Sequence, residues 1–175
     1  RELDEIIKTL EKLIEDSHRE AREIVKEVKK RLDDDKRRNE EVLKESRETT
    51  ERIRKEIEER GRTEEIEEKI RRNNRRLEKL LDESEKNNRR IIDTIERLLR
   101  KLEELHKKII DEIRKKVKSE EKIRRLEERA RRNVEEMRKL AEELEKESRR
   151  ILKESAEAVK RSKDEDRKLL EEAKK

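Results

Sequence analysis

The sequence predicts an all-α fold, a single-chain antiparallel three-helix bundle whose long, nearly straight helices take about 55 residues each. Three observations carry that expectation. Apolar residues recur in steps of three and four along the whole chain, the period of one helix face. The spacing breaks at only two places, one at Gly61 and Thr63 and one at Lys118 and Ser119, which divide the chain into nearly equal thirds. Of the 175 residues, 61% are charged and 27% hydrophobic, with no aromatic residue, no Pro, no Cys and one Gly. A quarter of apolar residues is what a narrow helical seam needs, and the rest is dominated by strong helix formers, so periodicity argues against the disorder that such a charge content would otherwise suggest.

Helix one is expected over about 2–60. Its seam runs through Leu3, Ile6, Leu10, Ile14, Ala21, Val28 and Leu32, then Asp35, Asn39, Val42, Ser46 and Ile53. Asp33-Asp34-Asp35 resembles a turn, but the step from Leu32 to Asp35 to Asn39 keeps the helical rhythm, so the helix reads through it. Gly61 supplies a residue able to turn left-handed, and Thr63 is an N-cap ahead of Glu64 and Glu65. Helix two is expected over 64–117, and Ser119 caps helix three over 120–174. Seam positions such as Ile70, Asn88 and His106 recur about five turns apart, between the periods that wind left- and right-handed, which predicts little supercoil. Two short loops imply up-down-up topology in one elongated domain, 1–175.

The stretch Ile70–Ile92 organises the rest. Its stripe holds Ile70, Leu77, Leu80, Leu81, Ile91 and Ile92, but also Asn73, Asn74, Ser84, Asn87 and Asn88. A polar group taken out of water without a partner costs about 1–3 kcal/mol, so these amides demand partners elsewhere. Setting Ile57 opposite Ile66 and Val117 opposite Ile123 fixes both registers without using any polar residue. Ser17 then faces His106, which faces Asn133 or Val134. Asp35 faces Asn88, with Asn87 and Ser148 close by. Asn39 faces Ser84, which faces Ser155. Ser46 lies level with Ser162 across Leu77, and Thr49 and Thr50 meet Asn73 and Asn74 with Asp166 nearby. Polar residues meet polar residues at each level, which predicts buried hydrogen-bond networks, with one member of each doublet fully buried. Such networks specify register, because a shifted helix strands several polar groups at once.

Chemical activity finds little support. Glu15-x-x-His18 and Glu103-x-x-His106 match the Glu-x-x-His spacing of di-iron bundles, yet Glu103 and His18 sit at the seam edge and a three-helix core lacks the fourth helix's carboxylate. No metal or other cofactor is expected. Arginine pairs recur at Arg71-Arg72, Arg75-Arg76, Arg89-Arg90, Arg131-Arg132 and Arg149-Arg150, and the first three make the middle of helix two locally basic, but interleaved acids and the lack of aromatic residues argue against nucleic acid. No phosphate loop and no nucleophile with a base is present, so no enzyme is expected. The net charge of +5 says little about partners. No apolar run approaches a membrane span. The chain does not open with Met, as expected of a fragment or a product with a removed tag.

The regular spacing, the missing aromatics, the capped short loops and the Ser/Asn/His/Thr layers together resemble de novo designed helical bundles with buried hydrogen-bond networks. The resemblance covers the whole chain and is one of style. Natural three-helix repeats such as spectrin are less similar, since their core Trp is missing. The resemblance implies a structural scaffold without natural substrate or cellular location, soluble on recombinant expression in a cytoplasm, and a monomer that requires no partner. The alternative is a binding module that uses a helix face to dock a partner helix or a second copy. The doublets Leu80-Leu81, Ile91-Ile92, Leu98-Leu99 and Ile109-Ile110 widen that face in helix two, although covering two neighbours within one bundle accounts for them equally well.

Overall fold

The computed structural model describes residues 2–173, which form α1 (Glu2–Arg60), α2 (Glu64–Lys116) and α3 (Glu120–Ala173). The expected end of the third helix at residue 174 lies outside the described residues. α2 ends at Lys116 rather than Val117, although Val117 N still donates to the Ile113 carbonyl at 2.9 Å; such one-residue differences are usual where a helix frays.

Local chemistry explains the breaks. Gly61 has φ 73°, and its N–H donates to the Ile57 carbonyl at 2.8 Å, which closes α1. Thr63 Oγ1 then accepts from Ile66 N at 3.3 Å, so the cap satisfies one of the four N–H groups that open α2. Glu64, Glu65 and Glu67 in that first turn favour the positive end of the helix dipole. Arg62 ties the loop down. Its Nε donates to Glu67 at 2.5 Å and its guanidinium reaches the Leu170 carbonyl of α3 at 3.3 Å. Ser119 enters α3 through its carbonyl, which accepts from Ile123 N at 2.9 Å, and not through a hydroxyl cap. Gly61→Ala meets no atom within 4 Å of the added carbon, so its cost is the left-handed backbone alone. A loss of about 1 kcal/mol in denaturant unfolding is expected.

The chain divides into two compact units, and each takes a segment from all three helices. The first comprises Arg1–Arg31 and Ile91–Lys146. One apolar cluster in it joins Leu10 and Ile14 of α1, Ile109 and Ile113 of α2 with Val117, and Leu126 and Ala130 of α3. A second joins Ala21, Leu98, Leu102 and Met137. Numbers rise along α1 and α3 as they fall along α2, so α2 runs antiparallel to both. The second unit comprises Leu32–Arg90 and Glu147–Lys175. Its clusters join Leu77, Leu80 and Val159, and Ile53, Ile66, Ile70 and Leu169, again with α2 antiparallel. Each unit is an antiparallel three-helix bundle with an apolar seam.

Candidate functional site

The second unit sets polar residues into that seam at successive levels. Asn39, Ser84 and Ser155, one from each helix, are all buried. The Asn39 amide donates to Ser84 Oγ at 2.7 Å and to Ser155 Oγ at 3.0 Å, so the α1 residue bridges the other two helices. Thr50, Asn73 and Asp166 form a second triad, and Asp166 is 0% exposed. Asn73 Nδ2 donates to Asp166 Oδ2 at 3.0 Å and lies 3.4 Å from Thr50 Oγ1. The Thr50 hydroxyl is 2.8 Å from Asp166 Oδ1 and 3.1 Å from the Ser46 carbonyl. Burial pushes the Asp166 carboxyl above the ordinary range, against the two hydrogen bonds that hold it down, and the neighbouring Glu165 adds to the rise.

At the remaining levels the partners differ from those the sequence suggests. Asp35 is bonded to Asn87, whose Nδ2 donates to Oδ1 at 2.8 Å, rather than to Asn88. Asn88 instead accepts from the Ser148 hydroxyl at 2.7 Å. The adjacent amides diverge because successive helical residues point about 100° apart, so one turns to α1 and the other to α3. Neither is fully buried, whereas Asn73 and Thr50 are, beside half-buried Asn74 and Thr49. Burial raises the Asp35 carboxyl, partly opposed by the Asn87 bond and by Arg38.

Four expected members stand outside these clusters. Thr49 turns its hydroxyl back to the Glu45 carbonyl of its own helix at 2.9 Å. The Asn74 carbonyl oxygen is buried without a partner. Ser46 is 0% exposed and its hydroxyl is unpartnered, so it does not reach half-buried Ser162. Counting one level on from Asn39, Ser84 and Ser155 puts Leu77 between the two serines, and two short side chains cannot span a leucine.

In the first unit, Ser17, His106 and Asn133 are each half-buried and do not form the expected network. Ser17 lines a crevice with Leu98, Leu102 and Leu105, between α1 and α2. His106 lines the opposite side of α2, in an open groove of about 990 Å³ shared with Ile110 and Val134, and its Nδ1 is buried without a partner. Equal height along the bundle therefore did not give contact. His18, expected at the seam edge, is half-buried as well. Its Nε2 lies 3.4 Å from Glu136, without hydrogen-bond alignment. Burial, then Arg22, lower its basicity against the pull of Glu136. The only cue in the sequence was its place next to Ser17 on the stripe.

The surface is laced with ion pairs. Arg76 is bound to Glu45 and Arg129 to Glu15 across helices, Lys69 meets Glu56 at 2.8 Å, and Lys163 meets Glu78 at 2.8 Å. Several of the paired arginines are engaged in the same way, with Arg71 and Arg75 on Glu68 and Arg131 on Glu128 and Glu135. The groove beside His106 is rimmed by Arg114–Glu127, Arg131–Glu128 and Arg138–Glu103 pairs. Exposed pairs of this kind contribute little to stability, because water screens the attraction and two long side chains must be held in place. Among the described residues no group of three or more His, Cys, Asp and Glu could hold a metal ion, and no helix is long and apolar enough to cross a membrane.

No protein-family model matches this chain, and no curated protein matches it. A solved structure described as a "Computationally designed three helix bundle" is similar to it, with a TM-score of 0.54 and 21% identity over 99% of this chain and 82% of that one. That likeness establishes a fold in common, three helices packed as a bundle.

Proposed function

We propose that this chain is a designed structural scaffold whose buried polar clusters fix helix register and topology. The observation that carries this reading is the Thr50–Asn73–Asp166 triad, in which each helix gives one buried polar residue and the three groups satisfy one another. A helix displaced by one turn would leave at least two of them unpartnered in an apolar seam, at about 1–3 kcal/mol each. An apolar seam of Leu and Ile imposes no such penalty. The similarity to a designed bundle supports the same reading. So does the satisfied state of the convergent polar groups, which are bonded to one another rather than arrayed around a space for substrate.

Spin labels on α1 and α2 of the second unit test this. The parent should give one narrow distance distribution. Asn39→Leu should keep the helical content and unfolding midpoint close to the parent's while broadening that distribution, because Ser84 and Ser155 can turn their hydroxyls to their own helices. Unfolding of the variant, or an unchanged distribution, would sink the proposal.

We further propose that the chain is one cooperative domain and a monomer with no required partner. Leu13, 42% exposed, is the one large hydrophobic residue that counts as exposed among the described residues. A docked helix or second copy would call for a stripe of several. Light scattering should return the mass of a single chain, 21.6 kDa. A concentration-independent dimer would favour the docking-module alternative instead.

A further inference from the structure

We propose that Asp166 is held as an uncharged carboxylic acid that donates its own proton to the Thr50 hydroxyl, so that this triad is a buried proton-binding site. Counting protons leads there. The Thr50 hydroxyl stands within hydrogen-bonding distance of two acceptors, the Ser46 carbonyl at 3.1 Å and Asp166 Oδ1 at 2.8 Å, and it has one proton to give. If it donates to Asp166, the back-bond to its own helix is left unmade. If it donates to Ser46, two oxygens face each other at 2.8 Å with nothing between them. A proton on Asp166 Oδ1 resolves both contacts. Asp166 donates to Thr50, Thr50 donates to Ser46, and Asp166 Oδ2 remains a carbonyl acceptor for Asn73 Nδ2.

The surroundings agree. Asp166 is 0% exposed, and an ionised carboxylate there would need a cation or several donors. Most of the charged side chains near its level are engaged elsewhere, Lys69 of α2 with Glu56 among them. On α1, Glu45 holds Arg76 of α2 and Glu51 holds Arg54. Arg72 of α2 holds Glu68. On α3, Lys163 holds Glu78, Arg167 holds Asp164, and Glu165 is itself acidic. Arg47 of α1 is exposed. Burial raises the Asp166 carboxyl, in the direction the proton count requires.

Two consequences are measurable. A carboxyl raised above its usual value contributes stability that is complete below about pH 4 and is lost as pH rises through the folded-state value. Asp166→Asn copies the neutral acid. Its NH2 faces Thr50 Oγ1 and its carbonyl faces Asn73. At pH 7 the variant should unfold at a denaturant concentration equal to or above the parent's, and the parent should lose more stability than the variant between about pH 4 and pH 8. Asp35, whose carboxyl is also raised, is unchanged in both and cancels from the comparison. An ionised Asp166 would accept from both neighbours, and the variant's NH2 would then displace a donor. A roughly tenfold or greater rise in the unfolding constant would overturn the proposal. Carbon NMR of aspartate-labelled parent protein supplies an answer that does not depend on the variant's stability. The Asp166 carboxyl should show the protonated shift at pH 7, and an ionised shift there would overturn it equally. The inference deepens the register reading without sharing its fate, since Asp166→Asn keeps every bond in the triad while Asn39→Leu removes another cluster altogether.

Discussion

Leu77→Ala is expected to destabilise the protein by about 3 kcal/mol, measured as a lower denaturant midpoint with an unchanged slope. Leu77 is 0% exposed and packs with Leu80 and Val159, against half-buried Val42, Leu43 and Leu81. It sits between the Asn39–Ser84–Ser155 and Thr50–Asn73–Asp166 clusters, where polar residues already occupy much of the seam. Removing three carbons takes away both their transfer free energy and the contacts around them. Helices tied by hydrogen bonds on either side cannot close in to refill the space. A cost below about 1 kcal/mol would mean that this part of the bundle relaxes freely and that the clusters do not hold the helices apart.

Asn73→Ala is expected to cost about 2–3 kcal/mol, a large effect for a polar residue. Asn73 is buried, and its amide donates to Asp166 Oδ2 at 3.0 Å. Alanine leaves that oxygen with no donor in an enclosed seam and opens a space too apolar on its other sides to hold water well. Combining the change with Asp166→Ala should recover about 1 kcal/mol or more relative to additivity, because the second substitution removes the group that the first one stranded. Additive losses would show that the two residues act independently, whatever their separation. Thr49→Ala, by contrast, should change little, because that hydroxyl bonds only the Glu45 carbonyl of its own helix.

The helix boundaries were legible because each has a local cause: a left-handed glycine at Gly61, a threonine cap at Thr63, an acidic first turn at Glu120 and Glu121. The pairing of levels was legible too, since register follows from loop length and helical rise alone, and it put Asn39 with Ser84 and Ser155. Rotation about each helix axis was harder to read. Asn87 and Asn88 share a level, and which one meets Asp35 depends on a difference of about 100° in direction that spacing does not resolve. The same limit separates Ser17 from His106, which lie on different sides of α2. Ser46 adds a further lesson. Its place on the seam is apparent from the sequence, but its lack of a partner depends on Leu77 filling the level it shares.

The two complete triads are offset by the same length of chain on all three helices: from 39 to 50 on α1, from 84 to 73 on α2, and from 155 to 166 on α3. That interval is about three helical turns, so sliding one helix by it would carry a polar residue of one triad onto the site of the other. The two sites are nevertheless not interchangeable. In one an amide gives both its hydrogens to hydroxyls; in the other a carboxyl stands between a hydroxyl and an amide. Such unlike pairs break a translational degeneracy that two copies of the same triad would have created. If the chain were cut at Gly61 and the pieces left to find each other, the identity of these six side chains would still distinguish the true alignment from its nearest counterfeit.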